Sequence, residues 1–364
     1  MKIAIVHEWL TGFGGAERCV IEFASLYPDA PIYTSVYDEK RFRDIFPPER
    51  VRTSFIQNLP GAIEKYRNYL PLMPRAFQSF DLSGFDVILS SSHCCAKGIR
   101  KPKNAIHISF IYTPMRYVWE LKDIYRSSLT GIKRTVFDMM VEPLRKFDLK
   151  SNDGVDYFIP ISREVDRRLR ETYGRSGAVV IYPPVDVDRF AYNGSKEDYY
   201  LVAHRFVPYK RVDIAIDAFN TNGLKLKVLG VGPDEEKLKS IAKPNIEFLG
   251  FVSEDKLAEV YGKAKALVFT SFEDFGLTPI EAMASGTPVI AYGAGGALET
   301  VVEKVTGTFY HEQSADSLND AIRRFDRMSF VKEKLIERAR LFDVSIFRTQ
   351  ISEFIDKCWR ERSV

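Results

Sequence analysis

An α/β chain of two Rossmann-like domains facing across a deep cleft is the fold class predicted by three features. These are an apolar run leading into a glycine-rich turn at the start, a break in the periodic pattern near the middle, and a second βα series beyond it. The opening "KIAIVH" followed by "EWLTGFGGAERCVIEFASLY" reads as strand, glycine-rich loop and amphipathic helix. Further strands are expected at "IYTSVY", "FDVILSSS", "NAIHISFIYT" and "DYFIPIS", and their alternation with helical segments implies a parallel sheet covered on both faces. The prolines and polar residues of "IYPPVDVDRFAYNGSKEDYY" mark an interdomain linker. Beyond it come "YYLVAHRF", the helix "KRVDIAIDAFN", "LKLKVLGVG", "IEFLGFV", the helix "SEDKLAEVYGKA", "KALVFTS", the helix "PIEAMASG" and the strand "TPVIAYG". The expected domains are residues 1–185 and 195–344, with a C-terminal helix at about 345–364 packing back onto the first. Ligands of such sheets meet the carboxyl ends of the strands.

A length of 364 residues exceeds one hydrophobic core, and 45% hydrophobic with 13% aromatic residues argues against disorder, so both domains should fold. The net charge of +3 is too small to indicate nucleic acid. Cys19, Cys94, Cys95 and Cys358 lack the paired spacing of a zinc site and are expected as reduced, buried thiols in a cytosolic compartment. "MKIAIVHEWL" lacks the parts of a signal peptide, and no window approaches a membrane span, so the expectation is a cytoplasmic protein.

The segment "TSFEDFGLTPIEAMASGTPVIA" carries the chemistry. Its strand and loop are expected to lead into a helix beginning near Pro279, capped by Thr278, with Glu281 in the first turn. Phe275, Gly276 and Leu277 would then present backbone N–H groups at a helix N-terminus, where an anion or a sugar hydroxyl is favoured. An ionised Glu281 suits the adjacent hydroxyls of a ribose, and Glu273 suits those of a sugar. The plainer alternative is a dipole-favouring helix acid and a solvated loop acid. "HRFVPYKR" sets Arg205 and Lys210 after an apolar strand, so both cations can converge on a pyrophosphate; a solvated basic turn is the alternative.

Glu273 to Glu281 fits the E-x7-E motif of retaining glycosyltransferases of family 4, and the chain resembles that family also in "RFVPYKR", "PPVDVDRF", "FLGFVSEDKLAEVY" and "GGAER". "HEWLTGFGGAER", "SSSHCCAKGIR" and "YTPMRYVWE" look most like bacterial mannosyltransferases of the WbaZ kind, which build O-antigen and exopolysaccharide. The resemblance implies a GT-B fold and a nucleotide-sugar donor, GDP-mannose, held mainly by the C-terminal domain. No cofactor is expected, and no metal either, since no DxD-like acidic pair stands at a strand end and the two cations can do an ion's work on the leaving phosphate. Carried over, Arg205 and Lys210 neutralise the donor pyrophosphate and Glu281 binds the ribose. Glu273 binds the donor sugar, the backbone of Phe275, Gly276, Leu277 and Thr278 cradles sugar and phosphate, and Gly14 and Gly15 approach the phosphates.

The chain departs from the family in "ISFIYTPMRY", where Tyr112 stands at a position often held by histidine, so Tyr112 is expected at most to orient sugar hydroxyls. His93, Lys97 and Arg116 are the acceptor-side candidates, each with a local structural role as the alternative. His7 and Glu8 end the first strand, and His204 is given no role. "IEKYRNYLPLMPRAFQSF" and "RYVWELKDIYRSSLTGIKRTVFDMMVEPLRKFD" mix cations with aromatic residues. That mixture suits peripheral contact with an anionic inner-membrane surface and a polyprenyl-diphosphate-linked glycan acceptor, although core packing would explain it too. A UDP-sugar donor and a binding protein without turnover remain open. A dinucleotide oxidoreductase is disfavoured, because Ala16, Glu17 and Arg18 stand where the last glycine of its fingerprint would be sought.

Overall fold

The computed structural model describes residues 1–127 and 129–362; Ser128 and the last two residues of the expected C-terminal helix, 363 and 364, lie outside the described residues. The chain divides into two compact units, Met1–Pro183 with Phe347–Val364, and Pro184–Ile346. The first holds six parallel strands: β1 (Ile3–His7), β2 (Ile32–Thr34), β3 (Val51–Thr53), β4 (Val87–Ser92), β5 (Ile106–Ile111) and β6 (Tyr157–Pro160). Their order is β3-β2-β1-β4-β5-β6, with Ile5 opposite Ile32 on one side and Leu89 on the other.

The second unit repeats this design with β7 (Tyr200–Ala203), β8 (Leu226–Leu229), β9 (Ile246–Gly250), β10 (Ala266–Phe269), β11 (Val289–Tyr292) and β12 (Gly307–Tyr310), ordered β12-β11-β10-β7-β8-β9. In each sheet the chain starts at the centre, builds outward and then crosses to the other side. The loops after β1 and β4, and those after β7 and β10, therefore part in opposite directions and leave a crevice at the carboxyl edge. IAIVH of β1 and ALVF of β10 are buried throughout, as expected of central parallel strands covered on both faces.

The stretch 181–200, read from the sequence as a linker, belongs from Pro184 onward to the second unit. The Val185 amide donates to the Phe342 carbonyl at 2.9 Å, and the Phe190 ring meets Tyr261 edge-on at 5.9 Å. The reason is that Val185, Val187 and Phe190, set among the prolines and polar residues, are buried. The helix Val344–Arg362 begins in the second unit and continues in the first, where Phe347 packs on Phe23 and Phe110 with ring centroids 5.5 and 5.7 Å apart. The short strands β3 and β12 fall outside the set expected from the sequence.

The end of β4 turns from apolar to serine, and each hydroxyl meets a polar partner inside the unit. Ser90 pairs with the His107 ring at 2.8 Å, Ser91 with the His7 ring at 3.0 Å and with the Tyr112 hydroxyl at 2.9 Å, and Ser92 donates to Glu8 at 3.1 Å. His107 is fully buried, and burial pushes its pKa down to about 4. Because the unfolded chain protonates near pH 6.5, this histidine contributes stability that is present above that pH and lost as the pH falls towards 4. Acidification from pH 6.5 to 4.5 should therefore cost about 2 kcal/mol through His107 alone. Denaturant unfolding of wild type and His107→Asn across that range should show a shallower acid slope in the variant.

Candidate functional site

At the carboxyl edge of the second sheet, β7 runs into a short 3-10 turn at Pro208–Lys210, and β10 runs into the loop that carries Glu273. The Lys210 ammonium pairs with the Glu273 carboxylate across the crossover, both side chains being mostly buried. Neighbouring contacts fix the turn. Thr270 Oγ1 donates to the Lys210 carbonyl at 2.7 Å, and Arg211 holds Asp213 and Gln313 while the Gln313 amide donates to the Thr270 carbonyl at 3.2 Å. Arg211 sits in the left-handed region at φ 52°, a conformation that costs a residue with a side chain on the order of 1 kcal/mol and persists where its surroundings over-determine it.

Arg205 is exposed in the same loop and, among the described residues, its guanidinium has no ion-pair partner. His204 is buried beside Phe269, with ring centroids 5.0 Å apart. Burial first and the Lys210 charge second push its pKa down to about 3, so this imidazole is neutral at physiological pH.

The helix after β10 spans Leu277–Ala284 and is preceded by Gly276 at φ 91°, with no side-chain cap. This corrects the expected start near Pro279 with a Thr278 cap. Proline at the third helical position loses nothing there, since first-turn amides have no intrahelical acceptor, and the turn is made by glycine instead. Glu281 consequently lies in the second turn, buried, with the Tyr261 hydroxyl donating to its Oε2 at 2.9 Å. A side chain at Gly276 would be strained by its φ and would place Cβ 3.0 Å from the Phe269 ring.

The loop after β11 closes on this turn, as the Gly296 amide donates to the Glu273 carbonyl at 2.9 Å. A Cβ on Gly296 would fall 2.2 Å from Phe275 Cα, so only glycine permits that approach. Phe275 itself is buried, its ring edge-on to Phe342 at 5.5 Å. The sequence reading missed Gly296, although "GAGG" directly after a predicted strand was a visible signal. One edge of the second unit thus gathers the Lys210–Glu273 pair, the exposed Arg205, the first-turn amides of Leu277 and Thr278, and the buried Glu281. Cations, orphan amides and carboxylates in that order can hold a diphosphate and flanking hydroxyls.

The first unit uses the same crossover differently. Glu8, directly after β1, is fully buried, and its carboxylate accepts from the backbone amides of His93, Cys94, Cys95 and Ala96 at 2.7–3.1 Å and from the Ser92 hydroxyl. An internal anion therefore fills the amide nest at the end of β4. His93 is half-buried above this nest, edge-on to Trp9 at 5.0 Å, and burial lowers its pKa.

Gly14 precedes the helix Gly15–Leu26, whose Glu17 folds towards His7, with Oε1 3.5 Å from Nε2. Burial, the largest single influence, raises the Glu17 pKa, but the hydrogen bond and charge of His7 with a backbone hydrogen bond together hold the carboxyl below its usual range. Lys97 is not placed for an acceptor: it is buried, with Nζ 2.9 Å from Asp148 Oδ1 and also donating to the Asp148 carbonyl and Ser151. Tyr112 is likewise buried, its hydroxyl shared with Ser91 and donating to the Ala16 carbonyl at 3.1 Å, so it orients its own loops rather than a sugar. Arg116 is half-buried.

The four cysteines are free and buried, and among the described residues no group of His, Cys, Asp and Glu is arranged to hold a metal ion. Glu8→Gln turns an amide NH2 towards backbone donors and should destabilise the protein by about 3 kcal/mol or more. Chemical unfolding of the two proteins at pH 7 checks this, with a ΔΔG below 1 kcal/mol contradicting it.

Residues 186–342 match the family described as glycosyl transferases group 1. An uncharacterized glycosyltransferase of Methanocaldococcus jannaschii is 31% identical over 54% of this chain and 57% of its own length. A GDP-mannose-dependent alpha-(1-6)-phosphatidylinositol monomannoside mannosyltransferase of Mycobacterium tuberculosis is 28% identical over 52% of this chain and 54% of its own. The chain thus spans little more than half the length of these curated relatives. The solved structure of Anabaena HepE in complex with UDP superposes with a TM-score of 0.74 at 19% identity, covering 98% of this chain and 100% of that one. The likeness to the glycosyl transferases group 1 model is thus confined to residues 186–342, while the two parallel six-stranded sheets and the structural match give the chain a GT-B fold.

Proposed function

We propose that the chain is a retaining glycosyltransferase that moves mannose from GDP-mannose to a lipid-linked glycan acceptor in bacterial O-antigen or exopolysaccharide synthesis. The observation that carries this reading is the Lys210–Glu273 pair at the crossover of the second sheet, beside a helix N-terminus and the buried Glu281. Lys210 and Arg205 would neutralise the donor diphosphate. A lysine ammonium has three N–H donors and can keep Glu273 while meeting a phosphate oxygen. Glu281, steadied by Tyr261, would take the ribose hydroxyls, and Glu273 those of the sugar.

In the transfer, the bond from the anomeric carbon to the diphosphate oxygen breaks and a bond to the acceptor oxygen forms on the same face. The acceptor proton passes to the departing phosphate oxygen. No metal enters this scheme, because the two cations carry the leaving-group charge. Gly14, Gly15, His93 and Arg116 of the first unit are the remaining candidates for donor and acceptor contacts.

The mannosyl assignment draws on the mycobacterial relative named above and on the N-terminal likeness. A UDP-sugar donor is the second reading, favoured by the likeness to a structure that holds UDP. Peripheral docking on the cytoplasmic face of an inner membrane is supported by the helix Gly131–Lys150, which exposes Ile132, Val136 and Met139 at helical spacing beside the exposed Lys133 and Arg134. Among the described residues no helix is long and apolar enough to cross a membrane.

Incubating the protein with GDP-mannose or UDP-sugars and a lipid acceptor extract should release GDP; release of UDP alone would select the second reading, and no nucleotide from any donor would overturn both. In the same assay Lys210→Ala should lower turnover by about 100-fold or more. Glu281→Ala should weaken donor binding by about tenfold, as loss of charge-assisted hydrogen bonds requires. Kinetics like those of wild type in both variants would show that the donor does not bind here.

A further inference from the structure

The opposite edge of the second sheet holds a pocket of about 430 Å³ that none of the chemistry above uses. Its walls come from residues that precede strands: Lys196 before β7, Gly262 and Lys265 before β10, Gly286 and Pro288 before β11. It therefore lies roughly 13 Å from the Lys210 edge, one strand of four residues at about 3.3 Å each.

Three lysines line the pocket. Lys265 is paired with Asp326 at 2.7 Å. The other two bond only uncharged oxygens: Lys196 donates to the Ala264 carbonyl and Thr287 Oγ1, and Lys332 donates to the Tyr192 carbonyl at 2.7 Å and Asn193 Oδ1 at 3.3 Å. Among the described residues neither ammonium has a carboxylate partner. Burial first and the Lys332 charge second push the Lys196 pKa down to about 8, and the carboxylate of Asp326, which also lines the pocket, is taken by Lys265.

The stem of Lys332 is fixed as well, since it packs where a side chain on Gly286 would sit, 2.9 Å from its Cγ. The wall also carries Tyr192, Phe325 and Phe330, the last two stacked at 5.1 Å, together with Met328 and Leu335. A cavity of this size, mostly apolar with a few convergent charges, is built like a small-molecule site.

We propose that this pocket is a second binding site of the unit and takes a small phosphate monoester carrying a flat apolar group, its phosphate between Lys196 and Lys332 and its ring against Phe325, Phe330 and Tyr192. A dianionic phosphate supplies the charge the two ammonium groups lack, and the ring packs on the half-buried Phe330 and Tyr192. The site stands apart from the donor reading and does not depend on it.

Phenyl phosphate is the probe, with inorganic phosphate and phenol as controls, titrated calorimetrically into the intact chain. Phenyl phosphate should bind saturably and at least about tenfold more tightly than either control. Lys196→Met and Lys332→Met, which keep the apolar stems, should each weaken it by about tenfold or more, whereas Lys332→Arg should stay within about threefold. Lys210→Ala should bind it like wild type, which separates the pocket from the opposite edge. Thermal melts identify a variant that has lost its fold, and if Lys196→Met is one, the comparison of Lys332→Met with Lys332→Arg decides. The proposal is overturned if wild type shows no saturable binding, if Lys332→Met binds as well as wild type, or if Lys210→Ala abolishes binding.

Discussion

The ion pair between Lys210 and Glu273 joins the loop after β7 to the loop after β10, and the candidate site of the second unit is arranged around it. Both loops leave adjacent central strands in opposite directions, so nothing in the sheet itself would hold their tips together. The pair does so, and its surroundings make it rigid. Arg211 accepts a left-handed backbone, Thr270 bonds the Lys210 carbonyl, and Gly296 bonds the Glu273 carbonyl. Each of these contacts fixes main chain, which leaves the charged side chains as the groups able to exchange partners when a ligand arrives.

The two units offer a controlled comparison of one topology. At the crossover of the first sheet the anion is the buried Glu8 and the donors are the amides of residues 93–96. That crevice is closed by the chain's own carboxylate and acts as structure. At the crossover of the second sheet the helix N-terminus begins with a bare glycine turn, Arg205 is exposed, and the cations outnumber their internal partner. An anion from outside finds donors there already oriented. The same geometric device therefore stabilises one unit and is left open to a ligand in the other.

The sequence made the central strands legible because parallel strands covered on both faces are continuous apolar runs, as in "KIAIVH" and "KALVFTS". It did not reveal β3 or β12, which are edge strands of three and four residues. The start of the helix at Leu277 was misread because proline suggested one boundary while a positive φ at Gly276 made another, and backbone dihedrals leave no mark in a single sequence beyond the glycine itself. Lys97 looked like an acceptor contact because its partner Asp148 is 51 residues away. Glu8 was hard to value for the same reason, since its donors come from the far end of β4. The pairing of Lys210 with Glu273 is equally non-local, but both residues follow strand ends that the pattern located, so their meeting could be anticipated.

The most direct test is a crystal structure of the intact chain soaked with GDP, and separately with UDP. Diphosphate density is expected within hydrogen-bonding distance of Lys210 Nζ and the Arg205 guanidinium, next to the amides of Leu277 and Thr278, with the ribose hydroxyls on Glu281. Density for the nucleotide at another place, with the Lys210–Glu273 pair and the Gly276 turn untouched, would contradict it.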